Sequence, residues 1–373
     1  MPSPVNLVRN IILALFIVAS ATGIYYITQT NNQPLTITRI DEIILNSFTV
    51  AEEVCVYNNA IYVAGWEYNN ESKPVSHACL TKLDYDGEVI WETTWDSHGD
   101  TRARKISCNG DCVYIVGEAV DESSQSFKYL AKFGFDGVRE WTINGTNIGD
   151  ICATENYVYV KKDGSLIKLD NNGQVFWETP VSGGKIFVEG NVVYVAGSTS
   201  VNATGDSASA VSAFDTEGNQ LWSTRRFSTR GDQVSDVCAT DEGVYIVGSG
   251  TKGWDFFYMT KFSTAGEQLW DKMFDRTVNG SFVGLFSLDD VIYGVGAFND
   301  SPRYFDALTS ITDSDGSIMA SDVFDWCGNE DYAYNVCSDG DLFFTVGTTV
   351  GCPPEVSPPF RRGFILIYEL NTS

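Results

Sequence analysis

Residues 54–96 read VCVYNNAIYVAGWEYNNESKPVSHACLTKLDYDGEVIWETTWD, and residues 237–274 read VCATDEGVYIVGSGTKGWDFFYMTKFSTAGEQLWDKMF. Laid over one another they show one unit. An apolar strand ends in Gly, a loop follows, a second strand ends near Asp, and a tight turn with Gly leads into a strand with Trp. The strand-ending Gly recurs at Gly65, Gly117, Gly197, Gly248, Gly296 and Gly347. The Trp recurs at Trp91, Trp141, Trp177, Trp222 and Trp270, spaced 50, 36, 45 and 48. The unit at 150–180 lacks the Gly because a short turn, Asp163-Gly164, replaces its second loop. The sixth unit carries Met319 in place of Trp.

Each unit divides into four short alternating strands, a to d, joined by hairpin turns such as Asn58-Asn59 and Asp86-Gly87. Four-stranded units repeated at this interval are the blades of a β-propeller. The seventh unit, from near Asp331, runs through VCSDGDLFFTVGTTV and FILIYELNTS and stops before a strand d. Residues 35–45, LTITRIDEIIL, form a spare strand ahead of the first blade. Pairing the two closes the ring and removes an exposed edge. The expectation is therefore an all-β, seven-bladed propeller over residues 35–373, with six and eight blades as rival counts.

The units resemble the SBBP family of seven-bladed propeller repeats and, more loosely, pyrroloquinoline-quinone-type propellers. The residues that carry the likeness are Val244-Tyr245-Ile246-Val247-Gly248, Thr260-Lys261-Phe262 and Gly266-Glu267-Gln268-Leu269-Trp270. Counterparts are Thr81-Lys82-Leu83-Asp84 and Val89-Ile90-Trp91. The resemblance implies a fold and a frequently extracellular setting, with no specific activity. Quinoprotein dehydrogenases of similar blade type use a vicinal Cys-Cys pair, which this chain lacks. No cofactor is expected.

The composition of the 373 residues agrees with β structure: 22 Phe, 18 Tyr and 9 Trp favour pleated, half-buried surfaces. A formal net charge of -25 excludes a nucleic-acid partner, which needs a basic stripe to displace counterions. Ahead of the blades, residues 11–27 read IILALFIVASATGIYYI, without a charge. The length sits at the lower limit of a membrane-spanning helix. Arg9 lies in the 1–10 stretch before it and no Lys or Arg follows until Arg39. The positive-inside rule then keeps 1–10 in the cytoplasm and exports the rest. Ala19-Ser20-Ala21 also fits a signal-peptide cleavage pattern, so a retained anchor and a cleaved signal both stand. Residues 28–34 are the linker. The start of strand 35–45 belongs to the tight-turn side, and seven residues reach at most ~25 Å. That side is expected to face the bilayer.

Catalytic signals are thin. Two histidines, His77 and His98, give little for a multi-His metal site or a Ser-His-Asp arrangement. The Asp-x-Asp-Gly runs at Asp84 and Asp313 sit at hairpin turns, where Asp and Gly suit the backbone, so no metal is expected there. Arg230-Gly231-Asp232 is discounted as a chance tripeptide. No catalytic residue is assigned.

Four of the nine cysteines, Cys55, Cys152, Cys238 and Cys337, repeat in strand a, with Cys108 one residue off. Residues on separate blades are expected to lie too far apart to bridge. That leaves Cys327–Cys352 and the hairpin pair Cys108–Cys112 as disulfide candidates. Sequons mark Asn70, Asn144, Asn202, Asn279, Asn299 and Asn371 as glycosylation candidates.

The a–b and c–d turns are tight and share one side of the propeller. The b–c loops on the other side are long and carry Trp66, Tyr68, Trp254, Tyr304, Phe305, Arg361 and Arg362. Aromatic residues and Arg on such loops are the usual chemistry of binding hot spots. The bland alternative is that the aromatics pack beneath their own loops. The sequence points to a non-catalytic, membrane-anchored extracellular propeller that binds surface proteins or glycans. The alternative is an extracellular propeller enzyme acting on glycans or small molecules, which carboxylates at the channel mouth would favour.

Overall fold

The computed structural model describes residues 15–20, 23–28, 35–45, 47–68, 75–96, 99–110, 112–200, 207–226, 231–251, 255–275, 281–288, 291–298, 305–326, 330–350 and 361–372. Seven antiparallel four-stranded sheets follow one another along the chain from Leu35 onward. Their innermost strands are Val50–Tyr57, Thr101–Cys108, Ile148–Ala153, Lys185–Glu189, Gln233–Thr240, Ser281–Leu288 and Asp331–Ser338. Each touches the next and the seventh touches the first, which closes the ring. The last blade takes Leu35–Leu45 as its outer strand, paired from Leu35 opposite Thr372 to Leu45 opposite Gly363. The spare N-terminal strand thus completes the seventh blade.

The hydrophobic core is distributed over the junctions. Seven buried clusters each span two neighbouring blades, so apolar burial holds blade to blade. The recurrent Trp belongs to this layer. Trp91, Trp177 and Trp222 donate Nε1–H to the carbonyls of Phe135, Thr216 and Thr264, at 2.9, 3.0 and 2.8 Å. Each acceptor lies in the c–d turn of the following blade, against which the indole ring packs. Counting from the turn glycine fixes the register: Gly87 precedes Trp91 by four, and Gly316 precedes Ala320 by four. Ala320, opposite Ile311, therefore holds the Trp position of blade 6, and Met319 does not. The seventh blade draws strands c and d from opposite ends of the chain and has no c–d turn to receive an indole.

The strand-ending glycines have a steric cause. A Cβ on Gly65 would come within 2.0 Å of the Val50 carbonyl oxygen, and one on Gly347 within 2.0 Å of the Tyr332 oxygen. Inner strands approach so closely because six of the seven carry a β-bulge at that level.

The membrane-spanning helix expected over 11–27 is not shown among the described residues. Leu15–Ser20 and Gly23–Thr28 pair as an antiparallel hairpin, Leu15 opposite Thr28. Among the described residues no helix is long and apolar enough to cross a membrane. The segment is rich in Ile, Val, Phe and Tyr, whose branched and aromatic side chains favour extended pairing when a partner strand is adjacent.

Candidate functional site

The seven innermost strands enclose an axial cavity of about 370 Å³. In each strand the residue paired just inside the strand-ending Gly, or at the matching place in blade 3, forms one ring around this axis. In blade order the ring reads Glu53, Lys105, Asp150, Lys185, Asp236, Gly284, Asn335. Acid and base alternate over five consecutive blades. Each acid or amide leans onto the next blade and accepts a backbone N–H there. Glu53 takes Ile106 at 2.5 Å, Asp150 takes Ile186 at 2.8 Å, and Asp236 takes Leu285 at 2.8 Å. Asn335 accepts from Val54 at 3.3 Å across the closing junction.

The ring is electrostatically tense. Burial pushes the Glu53 carboxyl up to about 7, against the pull of the Lys105 ammonium 2.5 Å away. Burial alone would lower Lys105, but the carboxylates of Glu53, Asp150 and Asp236 outweigh it and hold the amine above the usual lysine range. Asp150 is raised by burial, with Lys105 and Lys185 opposing. Carboxylates in the channel are what the enzymatic alternative called for. These three, however, already hold backbone donors and join the blades.

On the tight-turn side of the ring, Cys55 and Cys108 form a disulfide, with Cα atoms 6.3 Å apart. This corrects two expectations. Inner strands of neighbouring blades converge on the axis and come within bridging distance. Cys108 and Cys112 point to opposite faces of their sheet: Cys108 packs towards blade 1, while the buried Cys112 thiol packs towards blade 3. Cys327 and Cys352 lie outside the described residues.

On the loop side, the bulge residues Glu52 and Arg104 rim the channel mouth. Arg104 pairs with Glu52 and with Glu118, the latter at 2.6 Å. Trp66 is part of this scaffold: it is 6% exposed, ends within a strand and donates Nε1–H to Glu52. The packing alternative holds for Trp66. Tyr68 is 44% exposed, its ring edge-on to Trp66. Phe305 packs 6.0 Å from Tyr332, which stacks on Tyr334. Arg361 is exposed and Arg362 half-buried. Trp254 and Tyr304 lie outside the described residues.

Where the b–c loop of blade 3 shortens to Asp163-Gly164, a cleft of about 760 Å³ opens between blades 3 and 4. Its described lining contains Lys161, Arg225, four glycines and five Ser or Thr residues, and no carboxylate. Lys161 stands where the other blades place Ala or Val, opposite Asp150 in the ladder. Burial lowers its pKa. In a chain with twice as many acids as bases, such a lining is a local exception.

The other sequence candidates resolve individually. The Asp84 carboxylate accepts the N–H groups of Asp86 and Glu88, and Asp313 those of Asp315 and Ser317, as turn residues do. Asp232 is buried against Arg226, inaccessible as part of an adhesion tripeptide. His77 lies 3.9 Å from Asp96, and His98 is outside the described residues. Asn144 is exposed on an outer strand, whereas Asn371 donates its amide to Thr38. Asn70, Asn202, Asn279 and Asn299 are outside the described residues. The ring and the cleft were both missed. The ring's signal was an acid two places before Cys55, Cys152 and Cys238; the cleft's was a lysine where the repeat has Ala or Val.

A closed ring of seven four-stranded blades, with its polar residues knitted around the axis, defines a β-propeller built from one sequence repeat. Residues 76–285, more than half of the chain, match the family described as outer membrane protein assembly factor BamB, and the chain belongs to that family. The match falls on the looser of the two resemblances, the pyrroloquinoline-quinone-type repeats. No curated protein matches the sequence. The propeller domain of the trilobed protease from Pyrococcus furiosus, reported with an open velcro topology, is similar in fold. Its TM-score is 0.53 at 8% identity, covering 85% of this chain and 94% of that one. The N-terminal domain of Nup159 gives 0.52 at 10% identity, covering 91% and 97%. Both likenesses concern the fold alone.

Proposed function

We propose that the chain is an exported, membrane-tethered propeller that works by binding, without chemistry of its own, and presents its loop face to a surface protein or glycan. The observation that carries this is the cleft between blades 3 and 4, lined by cations, hydroxyls and glycine backbone. Hydroxyls and backbone N–H groups suit a polyhydroxylated ligand, and Lys161 with Arg225 favours one that carries acid groups. The channel carboxylates, by contrast, are committed to backbone donors. The family description names an assembly factor, a role performed by contact, which favours binding over catalysis. Export rests on the uncharged run at 11–27 with Arg9 before it. An exposed apolar collar supports tethering by the tight-turn side. Ile40, Val89, Phe176, Leu221, Leu269 and Ile318 stand on outer strands and Val138 just before one, so that every blade contributes near that side.

The test is retention of acidic and neutral oligosaccharides by the purified chain. Acidic ligands should be retained, the double substitution Lys161→Ala and Arg225→Ala should weaken them at least about tenfold, and the ligand should be recovered unchanged. Conversion of the ligand, abolished by Glu53→Gln, would replace this reading with the enzymatic one.

A further inference from the structure

Blades 5 and 7 begin with the same buried acid but treat it differently. Asp232 stands two residues before Val234, the partner of Gly248, and Asp331 stands two before Ala333, the partner of Gly347. Their N–H groups donate to equivalent carbonyls of the preceding blade, Ser207 and Phe305. Both acids are 0% exposed. At the first junction Arg226 answers Asp232 at 2.8 Å, and both are buried. At the second, the residue in the place of Arg226 is Phe324, and the residue in the place of Ala208 is Asp306.

Asp306 and Asp325 bring carboxylate oxygens to Asp331, all within 4.8 Å of one another. Asp331 accepts the Trp326 N–H on Oδ2 at 2.6 Å, and its buried Oδ1, like that of Asp232, has no hydrogen-bond partner; what differs is that no cation faces it as Arg226 faces Asp232. The buried hydroxyl of Thr349 stands directly across the ladder and faces the Asp331 carboxyl, favouring its charged form. A buried carboxylate beside two further carboxylates is costly unless a proton or a cation joins them.

We propose that Asp306, Asp325 and Asp331 bind a divalent cation, Ca²⁺ by preference, at the junction of blades 6 and 7. The donors are all hard oxygens, and Ca²⁺ accepts carboxylate and hydroxyl oxygens in irregular geometry, whereas Mg²⁺ demands a near-ideal octahedron. The ion takes the part that Arg226 plays two blades earlier. It ties the end of blade 6 to the start of blade 7 and with it steadies the loop-side edge of the closing blade, where Tyr332 and Tyr334 stand.

The full-length chain, purified in detergent, is stripped with EGTA and titrated with Ca²⁺. Tb³⁺ serves as a luminescent probe excited through the neighbouring Trp326. Sensitised Tb³⁺ emission displaced by Ca²⁺ is expected. Thermal unfolding should shift upward by a few degrees at about a hundredfold excess over Kd. A chain this acidic gains some stability from any divalent ion, so the variant decides. Asp325 is exposed, and Asp325→Asn should weaken Ca²⁺ binding at least about tenfold while unfolding no earlier than wild type in EGTA, because one repelling charge is gone. Identical unfolding with and without Ca²⁺, or unaltered binding by both Asp325→Asn and Asp306→Asn, would overturn the site.

Discussion

Glu53 condenses the chemistry of the axis into one side chain. It accepts the Ile106 N–H, pairs with Lys105 and receives the Asn335 amide, so it touches the inner strands of three blades. Its folded-state pKa is raised from 4.5 to about 7, chiefly by burial. The folded state therefore holds this proton more tightly than the unfolded chain does. The contribution to stability is fully present below about pH 4.5, is lost as pH rises to about 7, and is flat above. A difference of that size corresponds to about 3 kcal/mol. Urea unfolding between pH 5 and 8 should show wild type losing stability with rising pH and Glu53→Gln losing markedly less; parallel profiles would contradict the assignment. The ring was written in the sequence but hard to see. Its charges alternate in sign from blade to blade, so no single residue type recurs, and bulges displace them from the Gly that marks the repeat.

At the scale of strands and turns the repeat was readable because each recurrent residue answers a recurrent contact. The Gly admits the bulged inner strand, and the Trp caps the next blade's turn. The closing strand was readable from a missing strand at one end and a spare one at the other. Reading failed where contacts run between blades. Treating blades as separate bodies hid Cys55–Cys108, a link between residues 53 apart in sequence. Reducing the loop-closure entropy of the unfolded chain by that span should stabilise by about 2–4 kcal/mol. Cys108→Ser should therefore unfold earlier than wild type under oxidising conditions and nearly together with it after reduction. Equal stability in both conditions would remove the bridge from the account.

The whole molecule has two unlike faces. The tight-turn side receives the N-terminal strand at Leu35 and is bordered by the apolar collar. The loop side holds the cleft, the Tyr332–Tyr334 stack, and the Asp306–Asp325–Asp331 cluster. Composition revealed an acidic, β-rich chain but not this polarity, because the collar, the cleft and the rim each gather residues far apart in sequence. If the run at 11–27 tethers the chain, the linker at 28–34 sets the tight turns against the bilayer and turns the loop side outward. Single cysteines placed on intact cells and challenged with a membrane-impermeant thiol reagent test this most directly. Tyr68→Cys and Glu122→Cys on the loop side should label rapidly, and Asp86→Cys and Asn172→Cys in the tight turns slowly. No labelling at any of the four, or faster labelling of the tight turns, would contradict an exported propeller that presents its loop face.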